Sequence, residues 1–487
     1  MSDPDPLSAQ SNEPQIHLSS DKIPLGQKSA YAIGMLVNNL QAAAIPALMV
    51  ILNLGLKIDA RWVGIIGAVP RLFDAISDPM MGYISDNTRS RWGRRRPYIF
   101  VGALIAGVIF ALMWQLPPGY SKSFYIWTFL SASILYFLAY TVYATPFVAF
   151  GFEMTSDYHE RTRLHTFANT VGQLPWLAVP WFYWLMSSKY FDDQVQGARF
   201  IALWVGGAIC LLGIIPAIFC REKNVLSNLE DADKDASPKA SFLSSMVEFM
   251  AGLFASFKCK PFVKLCAATF LVFNGYQLGV GITIYVLQFY IYNSDAATAG
   301  KLYGTYFTTV SICTLVVIPL TGWLATKFGK RETFMIAIPL SLLGYLLKWF
   351  FYSPSNPYLL LASCPFIAFG TGSLFTLMAS MVSDVCDYDE LSSSERREGM
   401  FAAIYWWMVK VGMAIATLLG GYLLHAAGFD EELKMQSTET MFWLRIFDVG
   451  VPLITSALAL LIMSTYEISE SRAKEIRTEL EQRRQAR

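Results

Sequence analysis

Charged residues are scarce in this chain of 487 residues. Only 15% of the residues are Asp, Glu, Lys or Arg, whereas 54% are hydrophobic; an ordinary soluble domain has roughly 25% charged residues. The formal net charge is +1, so the chain also lacks the basic field with which proteins attract nucleic acid. These two shortages exclude an ordinary soluble domain and a nucleic-acid partner, and they favour a chain that lies in a lipid bilayer.

Cysteine and histidine are also sparse and scattered. The seven cysteines show no CxxC spacing, which excludes a disulfide framework and a zinc site of the usual kind. The four histidines, His17, His159, His165 and His425, lie outside the apolar runs or near their ends. The sequence contains no nucleotide-binding loop and no polar stretch long enough for a catalytic domain. We therefore predict a protein that is not an enzyme and that needs no cofactor.

The chain lacks the start of a cleavable signal peptide. Residues 1–28 are polar and contain acids and prolines before any apolar run begins. A secretory signal would place a short apolar stretch directly after a charged start. We therefore expect a tail that stays in the cytoplasm and a first membrane span that is retained.

Long apolar runs dominate the remaining sequence. A helix needs about 20 mostly apolar residues to cross the hydrocarbon, and twelve such runs are present. The predicted spans are 29–53, 62–85, 97–116, 123–152, 165–187, 199–219, 262–292, 302–325, 332–352, 357–383, 398–425 and 443–465. We expect an all-α integral membrane protein with two six-helix halves, 29–219 and 262–465, which are joined by a linker at 220–261 and followed by a charged tail at 466–487.

The loops differ in charge, which indicates the orientation of the spans. Basic residues are concentrated in the second, fourth, eighth and tenth loops: Arg89, Arg91, Arg94, Arg95, Arg96, Arg161, Arg163, Lys327, Lys330, Arg331, Arg396 and Arg397. By the positive-inside rule these loops and both termini face the cytoplasm. The apolar spacing of residues 242–257 in the linker fits an interfacial helix on the inner leaflet or a plain linker helix.

A short motif occurs once in each half. Residues 82–86, with Gly82 first, precede a basic stretch at 91–96, and residues 322–326, with Gly322 first, precede a basic stretch at 327–331. The two stretches follow the second and the eighth span, which are equivalent positions in the two halves. This repetition favours an internal duplication of six spans.

The motif loop carries a family resemblance. The pattern Gly-x-x-x-Asp followed by Arg-x-Gly-Arg-Arg after the second span resembles the major facilitator superfamily, whose halves rock around a central site. The longer string Arg71-Leu-Phe-Asp-Ala-Ile-Ser-Asp-Pro-Met-Met-Gly82, which runs on into residues 86–97, resembles the glycoside–pentoside–hexuronide:cation symporters, the family of melibiose permease. The resemblance implies a bacterial inner-membrane carrier that moves a sugar or glycoside together with a cation.

Two acids lie inside the second span. Asp74 and Asp78 are four residues apart, so both project from one helix face, with Arg71 on the same stripe. Each charge near the membrane midplane costs about 2.5–3.5 kcal/mol, so the two acids are expected to have a function. They provide hard oxygen ligands for Na⁺ or a carboxylate that takes up a proton. The alternative is a structural network in which Arg71 neutralises the acids.

The resemblance extends to the residues around these acids. It implies that Asp74 and Asp78 bind the coupling cation, Na⁺ or H⁺, and that Ser77 and Thr141 contribute to the same site. Lys410 matches the lysine of the family's eleventh span, and we expect it to reach the two acids as a charge partner. A lysine that only points into a hydrated cavity remains the alternative. We expect Lys348, near the outer end of its span, to snorkel to the interface.

Polar and aromatic residues inside the spans are candidates for sugar binding. They are Asn38, Asn39, Tyr143, Thr145, Asn169, Gln173, Trp176, Asn274, Gln277, Tyr285 and Phe375. Any one of them also fits a role in bridging helices. The acids and the arginine with which the permease recognises galactosides correspond here to Leu36, Ala144 and Ala168. Galactoside recognition is therefore not expected.

Charged residues at the cytoplasmic ends are candidates for a gate. They are Asp86, Arg94, Arg95, Arg96, Glu153 and Asp157 in the first half, and Lys330, Arg331, Asp384 and Asp387 in the second. We expect ion pairs between the halves that hold the inner side shut and break on opening. The alternative is a solvated rim anchored to the leaflet.

Together these features predict a secondary transporter with alternating access. The predicted reaction is symport of a sugar or glycoside with Na⁺ or H⁺, by a chain that acts as a monomer among membrane lipids. A uniporter and a lysolipid carrier on the same scaffold are the alternatives. The sequence leaves the solute and the ion open.

Overall fold

The computed structural model describes residues 22–116, 119–155, 157–221, 252, 256–393 and 397–485. Within these ranges the regular secondary structure is entirely helical. Most of the N-terminal tail and most of the linker lie outside the described residues, and so does most of the segment 242–257 for which we weighed an interfacial helix.

Eight of the predicted spans are single helices. Their bounds are Leu25–Leu54, Ala60–Asn87, Arg96–Met113, Lys122–Glu153, Ala296–Phe328, Lys330–Phe351, Glu398–Ala426 and Thr438–Ser464. The predicted boundaries agree with most of these helices to within a few residues. The largest difference is at the eighth span, which begins at Ala296 and not at residue 302 because Asp295 caps it by accepting from the backbone N–H groups of Ala297 and Thr298.

The other four spans are interrupted helices. The fifth consists of Tyr158–Gly172, Leu174–Ala178, a 3₁₀ turn at Val179–Trp181 and Phe182–Met186; the sixth of Gln194–Gly213 and Ile215–Phe219; the seventh of Lys260–Tyr285 and a π-helical turn at Val286–Ile291; the tenth of a 3₁₀ helix at Pro357–Ser363 and Cys364–Ser393. Prolines account for the breaks in the fifth and sixth spans, because Pro175, Pro180 and Pro216 have no backbone N–H to donate. A further helix, Glu470–Gln485, follows the twelfth span.

Ten helices among the described residues are long and apolar enough to cross a membrane. They account for ten of the twelve predicted spans, so the chain is a multi-pass membrane protein. The two others are the second span, which contains Arg71, Asp74 and Asp78, and the broken fifth span. The second helix has 28 residues, which at 1.5 Å per residue is long enough to cross. It packs against the fourth and eleventh spans, and the fifth span packs against the first and eighth.

The bundle has two ends with different loops. We call the end with the loops around residues 88–95, 154–157, 329 and 397 the basic end, and the other the opposite end. Asp59 caps the second helix at the opposite end, and the hydrogen bonds from Arg61 hold the pKa of the Asp59 carboxyl below its usual value. At the basic end Gly329 has φ +87°, a conformation that favours glycine and allows the tight turn between the eighth and ninth spans.

The two halves meet closely at the opposite end. The second and eleventh spans touch through glycines there: a side-chain carbon on Gly64 would lie only 3.0 Å from the carbonyl oxygen of Leu418, and Gly421 packs directly on Ala60 and Gly64. An ion pair of 2.6 Å joins Lys122 of the first half to Glu432 of the second. The opposite end is therefore closed in this conformation.

Charged residues at the basic end pair within each half. In the first half Arg95 lies 2.6 Å from Asp86 and 2.9 Å from Glu153, which also pairs with Arg94. Arg96 donates to the carbonyl oxygen of Ala217. Asp157 caps the fifth helix.

The second half has a corresponding set of contacts. Asp384 accepts from Lys330 at 2.6 Å and from Arg477 of the last helix at 2.9 Å, and Arg477 also lies 3.4 Å from Asp387. Arg331 donates to the carbonyl oxygen of Ser464. Each ion pair described among these gate candidates lies within one half, and pairs between the halves stay a prediction.

Candidate functional site

The second, fourth and eleventh spans bring a charged cluster together near the middle of the bundle. Asp74 is buried, with 4% of its surface exposed, and Thr141 of the fourth span donates to Asp74 Oδ1 at 2.7 Å. Lys410 of the eleventh span donates to Asp74 Oδ2 at 2.9 Å. One carboxylate in the first half is thus held by a hydroxyl from its own half and by an ammonium from the other half.

Asp78 lies one turn further toward the basic end on the same helix face. Thr145 donates to Asp78 Oδ1 at 2.9 Å, and Lys410 also makes a short contact with Asp78 Oδ2. Thr141 and Thr145 are four residues apart, as are the two acids. Residues at this spacing lie on one face of a helix, so each threonine faces one of the acids. Lys410 therefore bridges both carboxylates, which is the contact that its mid-span position predicts.

Ser77 adds a third hydroxyl to the cluster. Its Oγ lies 3.0 Å from Thr141 Oγ1 and 3.3 Å from the backbone oxygen of Asp74. Pro79 follows Asp78 in the helix. Because proline has no N–H, the carbonyl oxygen of Ala75 lacks its usual helical donor. The cluster thus offers two carboxylates and three hydroxyl groups, which are the hard oxygen donors that alkali and alkaline-earth cations prefer.

The cluster is partly accessible. Side-chain exposure is 34% for Lys410 and 26% for Asp78, but only 6% for Asp74. On the basic-end side, the fifth helix presents the exposed polar residues Asn169, Thr170 and Gln173. Such a polar face is costly against hydrocarbon, so it borders water between the halves. Water and small ions can therefore approach Asp78 and Lys410 from the basic end.

Arg71 takes no part in this ion pairing. Among the described residues it makes no salt bridge with either acid; its Nη1 lies 3.4 Å from Met413 Sδ, and its guanidinium stacks 5.7 Å from the centre of the Phe137 ring. Arg71 is therefore not a direct ion-pair partner of the acids in this structure, and Asp74 acts on it only at longer range. Helical side chains lean toward the N-terminus, so the arginine extends toward the opposite end, away from Asp74.

Arg71 instead lines a cavity between the halves. The cavity has a volume of about 290 Å³ and is lined by the first, second, fifth, seventh, eighth and eleventh spans. Three of the predicted substrate residues, Trp176, Gln277 and Tyr285, contribute to its wall. Cavity residues that the sequence did not point to include Tyr183, Tyr276, Tyr303, Phe307, Ser311 and Thr417. Aromatic residues are common throughout the spans, so residue type alone gave no signal for these.

The remaining substrate candidates lie elsewhere. Tyr143 is fully buried and donates to the Gly34 carbonyl oxygen at 3.0 Å, and Asn39 donates to the Gly172 carbonyl oxygen at 2.7 Å. Both bridge helices, which corrects their assignment to a substrate pathway. Asn274 donates to its own helix at Phe270.

The other candidates are exposed, belong to the charged cluster or are partly buried. Asn169, Gln173 and Phe375 are exposed, whereas Thr145 belongs to the charged cluster. Asn38 has a buried Oδ1 without a described partner.

A second lysine–carboxylate cluster was missed. Lys348 lies 2.9 Å from Asp448 of the twelfth span, with side-chain exposures of 4% and 0%. Thr283 and Tyr352 donate to the same carboxylate at 2.7 and 2.5 Å. The expectation that Lys348 snorkels is wrong, because this acid lies deep enough in the bundle to pair with it. The available signal in the sequence was Asp448, an acid ten residues after the start of the twelfth helix.

Comparisons with known proteins place the chain among membrane transporters. The model of one family, described as "MFS/sugar transport protein", matches residues 30–470. An uncharacterized symporter of Bacillus subtilis (strain 168), YnaJ, is 26% identical over 95% of this chain and 96% of that protein. The isoprimeverose transporter of Lactiplantibacillus pentosus is 23% identical over 97% of this chain and 94% of that protein.

The solved structures show the same fold. The crystal structure of a D-xylose-proton symporter superposes with a TM-score of 0.64 at 14% identity, over 91% of this chain and 98% of that chain. An inward open conformation of the xylose transporter XylE from E. coli superposes with a TM-score of 0.61 at 15% identity, over 93% of this chain and 98% of that chain. This likeness establishes the major facilitator fold that the sequence predicted.

Proposed function

The chain belongs to the MFS/sugar transport protein family, and from this premise we propose that it couples the transport of a sugar or glycoside to the movement of a cation. Its family and its relatives are transporters and not enzymes. Cation coupling and the sugar are the parts of this proposal that require experiment.

The contact of Lys410 with Asp74 and Asp78 carries the proposal. An ammonium from one half sits on two carboxylates of the other half, so the protein itself supplies a cation to the candidate cation site. A transported Na⁺ or H⁺ that binds these carboxylates competes with Lys410 and releases it. The bridge between the halves then breaks, which links cation binding to the relative position of the halves.

The hydroxyl groups fit this exchange of cations. Thr141, Thr145 and Ser77 hold their oxygen atoms at or next to the carboxylates, and they can turn lone pairs toward a metal ion once the ammonium leaves. For a proton, the two nearby acids favour uptake by one of them, because like charges at close range raise the affinity for H⁺. The oxygen donors suit both ions, so the experiment must distinguish Na⁺ from H⁺.

Alternating access follows from the closed opposite end and the accessible basic end. We propose that the basic end faces the cytoplasm of a bacterium, that both termini lie there, and that the present conformation is inward-facing in the inner membrane. Because the second and eleventh spans of one chain complete the site, we propose that a monomer surrounded by lipid is the functional unit. The cavity next to Arg71, with Trp176, Gln277 and Tyr285 in its wall, would bind the sugar.

The test is uptake into proteoliposomes with Na⁺ and pH gradients applied separately. A panel of labelled sugars and one lysolipid should identify a solute that accumulates against its own gradient only when one of the two cation gradients is present. Asp74→Asn and Asp78→Asn should abolish this accumulation. Asp192→Asn, which removes an exposed acid from a loop at the opposite end, is the matched control and should accumulate normally.

Three outcomes would contradict the proposal. Normal accumulation by both Asn variants would place the cation elsewhere. Equilibration without accumulation under every gradient would indicate a uniporter, and transport of the lysolipid alone would indicate a lipid carrier.

A further inference from the structure

The hydroxyl of Tyr183 joins the two halves beside the cavity. Tyr183 lies in the last helical segment of the fifth span, is buried, and has its ring in the cavity wall. Its hydroxyl donates to the side-chain oxygen of Gln288 in the seventh span, which is also buried. Among the described residues Tyr183 is the one hydrogen-bond partner of the Gln288 side chain. A neutral hydrogen bond therefore crosses from the first half to the second, next to the space that a solute would occupy.

This bond lies on the side of the cavity that faces the opposite end. The cavity touches Tyr285, and Gln288 follows three residues later, toward the loop between the seventh and eighth spans. That loop and the loop after Tyr183, at 187–193, both belong to the opposite end. The halves therefore cannot part at this point without breaking the bond.

The two partners lie in or next to irregular turns of their helices. A 3₁₀ turn at Val179–Trp181 comes directly before the segment that carries Tyr183, and Gln288 lies within the π-helical turn Val286–Ile291. Short 3₁₀ stretches inside a helix often mark hinges, and π-helical turns are frequent at functional sites. Both sides of the bond thus belong to the parts of their spans that are best suited to movement.

Neighbouring contacts fix the position of Tyr183. The indole N–H of Trp181 donates to Thr308 Oγ1 of the eighth span at 2.9 Å. The ring of Trp181 also lies on Gly304, where an added side-chain carbon would come within 2.7 Å of it. Such close packing holds the fifth span against the second half, and it keeps the hydroxyl of Tyr183 within reach of Gln288.

The surroundings of the bond make it reversible. Gln194 donates to the Tyr183 oxygen at 3.2 Å and to Ser187 Oγ at 2.9 Å, and these three residues all belong to the first half. When the halves part, Tyr183 keeps the bond from Gln194, while its own proton and the Gln288 amide turn to water. A neutral hydrogen bond that is exchanged for water changes an equilibrium by about threefold to tenfold. This size suits a contact that opens and closes in every cycle.

We infer that Tyr183 and Gln288 form a latch that holds the cavity closed toward the opposite end. The inference rests on the alternating access proposed above and adds a second contact to it. Lys410 also bridges the halves, but a cation can compete for its carboxylates. The latch contains no charge, so a cation does not compete for it directly. Its strength sets the fraction of the protein that is open at the opposite end, and a solute from that side binds in proportion to this fraction.

Two pairs of spin labels test the latch without any solute. The labels are attached to unnatural amino acids, so that the native cysteines stay in place. One pair, at the exposed positions Tyr190 and Met435, reports the distance between the halves at the opposite end. The other pair, at the exposed positions Arg89 and Lys327, reports it at the basic end. Double electron–electron resonance on the full chain in lipid nanodiscs gives both distances.

Tyr183→Phe keeps the ring in the cavity wall and removes the hydrogen-bond donor. The ratio of molecules open at the opposite end to molecules closed there should rise about threefold to tenfold. The basic-end pair should move closer in the same fraction of molecules. Gln288→Leu should have the same effect, and the double variant should add little to either single change, because both changes remove one bond.

The matched control is Tyr143→Phe. It removes a buried hydroxyl whose bond to Gly34 stays within the first half, so both distances should remain as in the parent. Unchanged distances in Tyr183→Phe and Gln288→Leu would overturn the latch, and so would fully additive effects of the two changes. Broader distances at both ends, without opening at one and closing at the other, would assign the bond to the stability of the fold alone.

The latch and the proposed transport function fail in different ways. If both variants shift the label distances in a protein that accumulates none of the sugars under either gradient, symport is contradicted and the latch stands. If a sugar accumulates under a gradient but the label distances are the same in the parent and in both variants, the latch is wrong and symport stands.

Discussion

Two lysine–carboxylate clusters in this protein use the same chemistry in different places. Lys410 joins two acids across the boundary between the halves, and its side chain is 34% exposed. Lys348 pairs with Asp448 inside the second half, where both are almost completely buried. Location separates their roles: water and small cations can reach the first cluster and compete for it, whereas the second is sealed and its carboxylate accepts from three side chains.

The difference has an energetic basis. Removing one partner of a buried ion pair leaves an uncompensated charge that no solvent can reach, at a cost of about 3–5 kcal/mol. A partly exposed pair can exchange its partner for water or an ion at a much lower cost. We therefore assign the sealed cluster to stability and the accessible one to function, and the following variants test that assignment.

The largest expected effect is on folding, from Lys348→Met. Asp448 would remain buried without its cation, so the free energy of unfolding should fall by about 3–5 kcal/mol. Unfolding in detergent by a chemical denaturant measures this change, with Lys301→Met, which removes an exposed lysine, as the control. The double variant Lys348→Met with Asp448→Asn should recover part of the loss. A Lys348→Met protein as stable as the parent would show that the sealed cluster does not stabilise the fold.

The next effect is on ion binding, from Lys410→Met. Because the internal competitor is removed, the protein should bind its coupling cation more tightly, by about tenfold to a hundredfold, or about 1.4–2.8 kcal/mol. Stability should fall by less than in Lys348→Met, because Asp78 is partly exposed although Asp74 is buried. Titration calorimetry with Na⁺ and with H⁺ gives the affinities. Weaker cation binding in this variant would mean that Lys410 helps to form the site.

A smaller effect is expected from Thr141→Val. The change keeps the shape of the side chain and removes the hydroxyl that donates to Asp74. The cation concentration for half-maximal uptake should rise about fivefold to tenfold, since one hydrogen bond or ligand contributes about 1 kcal/mol. Thr305→Val, in which the lost hydroxyl bonds only within its own helix, should leave that concentration unchanged. An unchanged concentration for half-maximal uptake in Thr141→Val would show that this hydroxyl does not contribute to the cation site.

The smallest effect should come from the exposed pair Lys122–Glu432. Both side chains are more than half exposed, so Lys122→Gln should change stability by less than about 0.5 kcal/mol. Because the pair joins the halves at the opposite end, its loss should shift the conformations slightly toward opening there. Labelling of a cysteine introduced at that end should become modestly faster at low salt, and the difference should vanish at high salt. An equal rate at low salt would show that the pair plays no part in closure.

Much of the fold could be predicted because a bilayer imposes simple rules on sequence. Apolar length located twelve spans, and ten of them are confirmed as helices long and apolar enough to cross a membrane. The second, with its charges, and the fifth, with its breaks, stay predictions as membrane spans. The contact between Lys410 and the acids was predictable because a mid-span charge needs a partner. The neighbours of Arg71 and Lys348 were not, since they depend on which helices pack together and on the direction in which long side chains extend. The partners of the gate candidates were not predictable either, since the described pairs of Arg95 and Asp384 depend on which loops and helices meet at the basic end.

The glycine contact between the second and eleventh spans has a practical consequence. The seam at Gly64 and Gly421 has no side chains to yield, so a single added methyl group at Gly421 would press on the backbone of Ala60. Such a wedge penalises the closed seam specifically and leaves the distant ion site untouched. One small substitution could thus serve as a tool for capturing the form that is open at the opposite end, so that its structure can be determined.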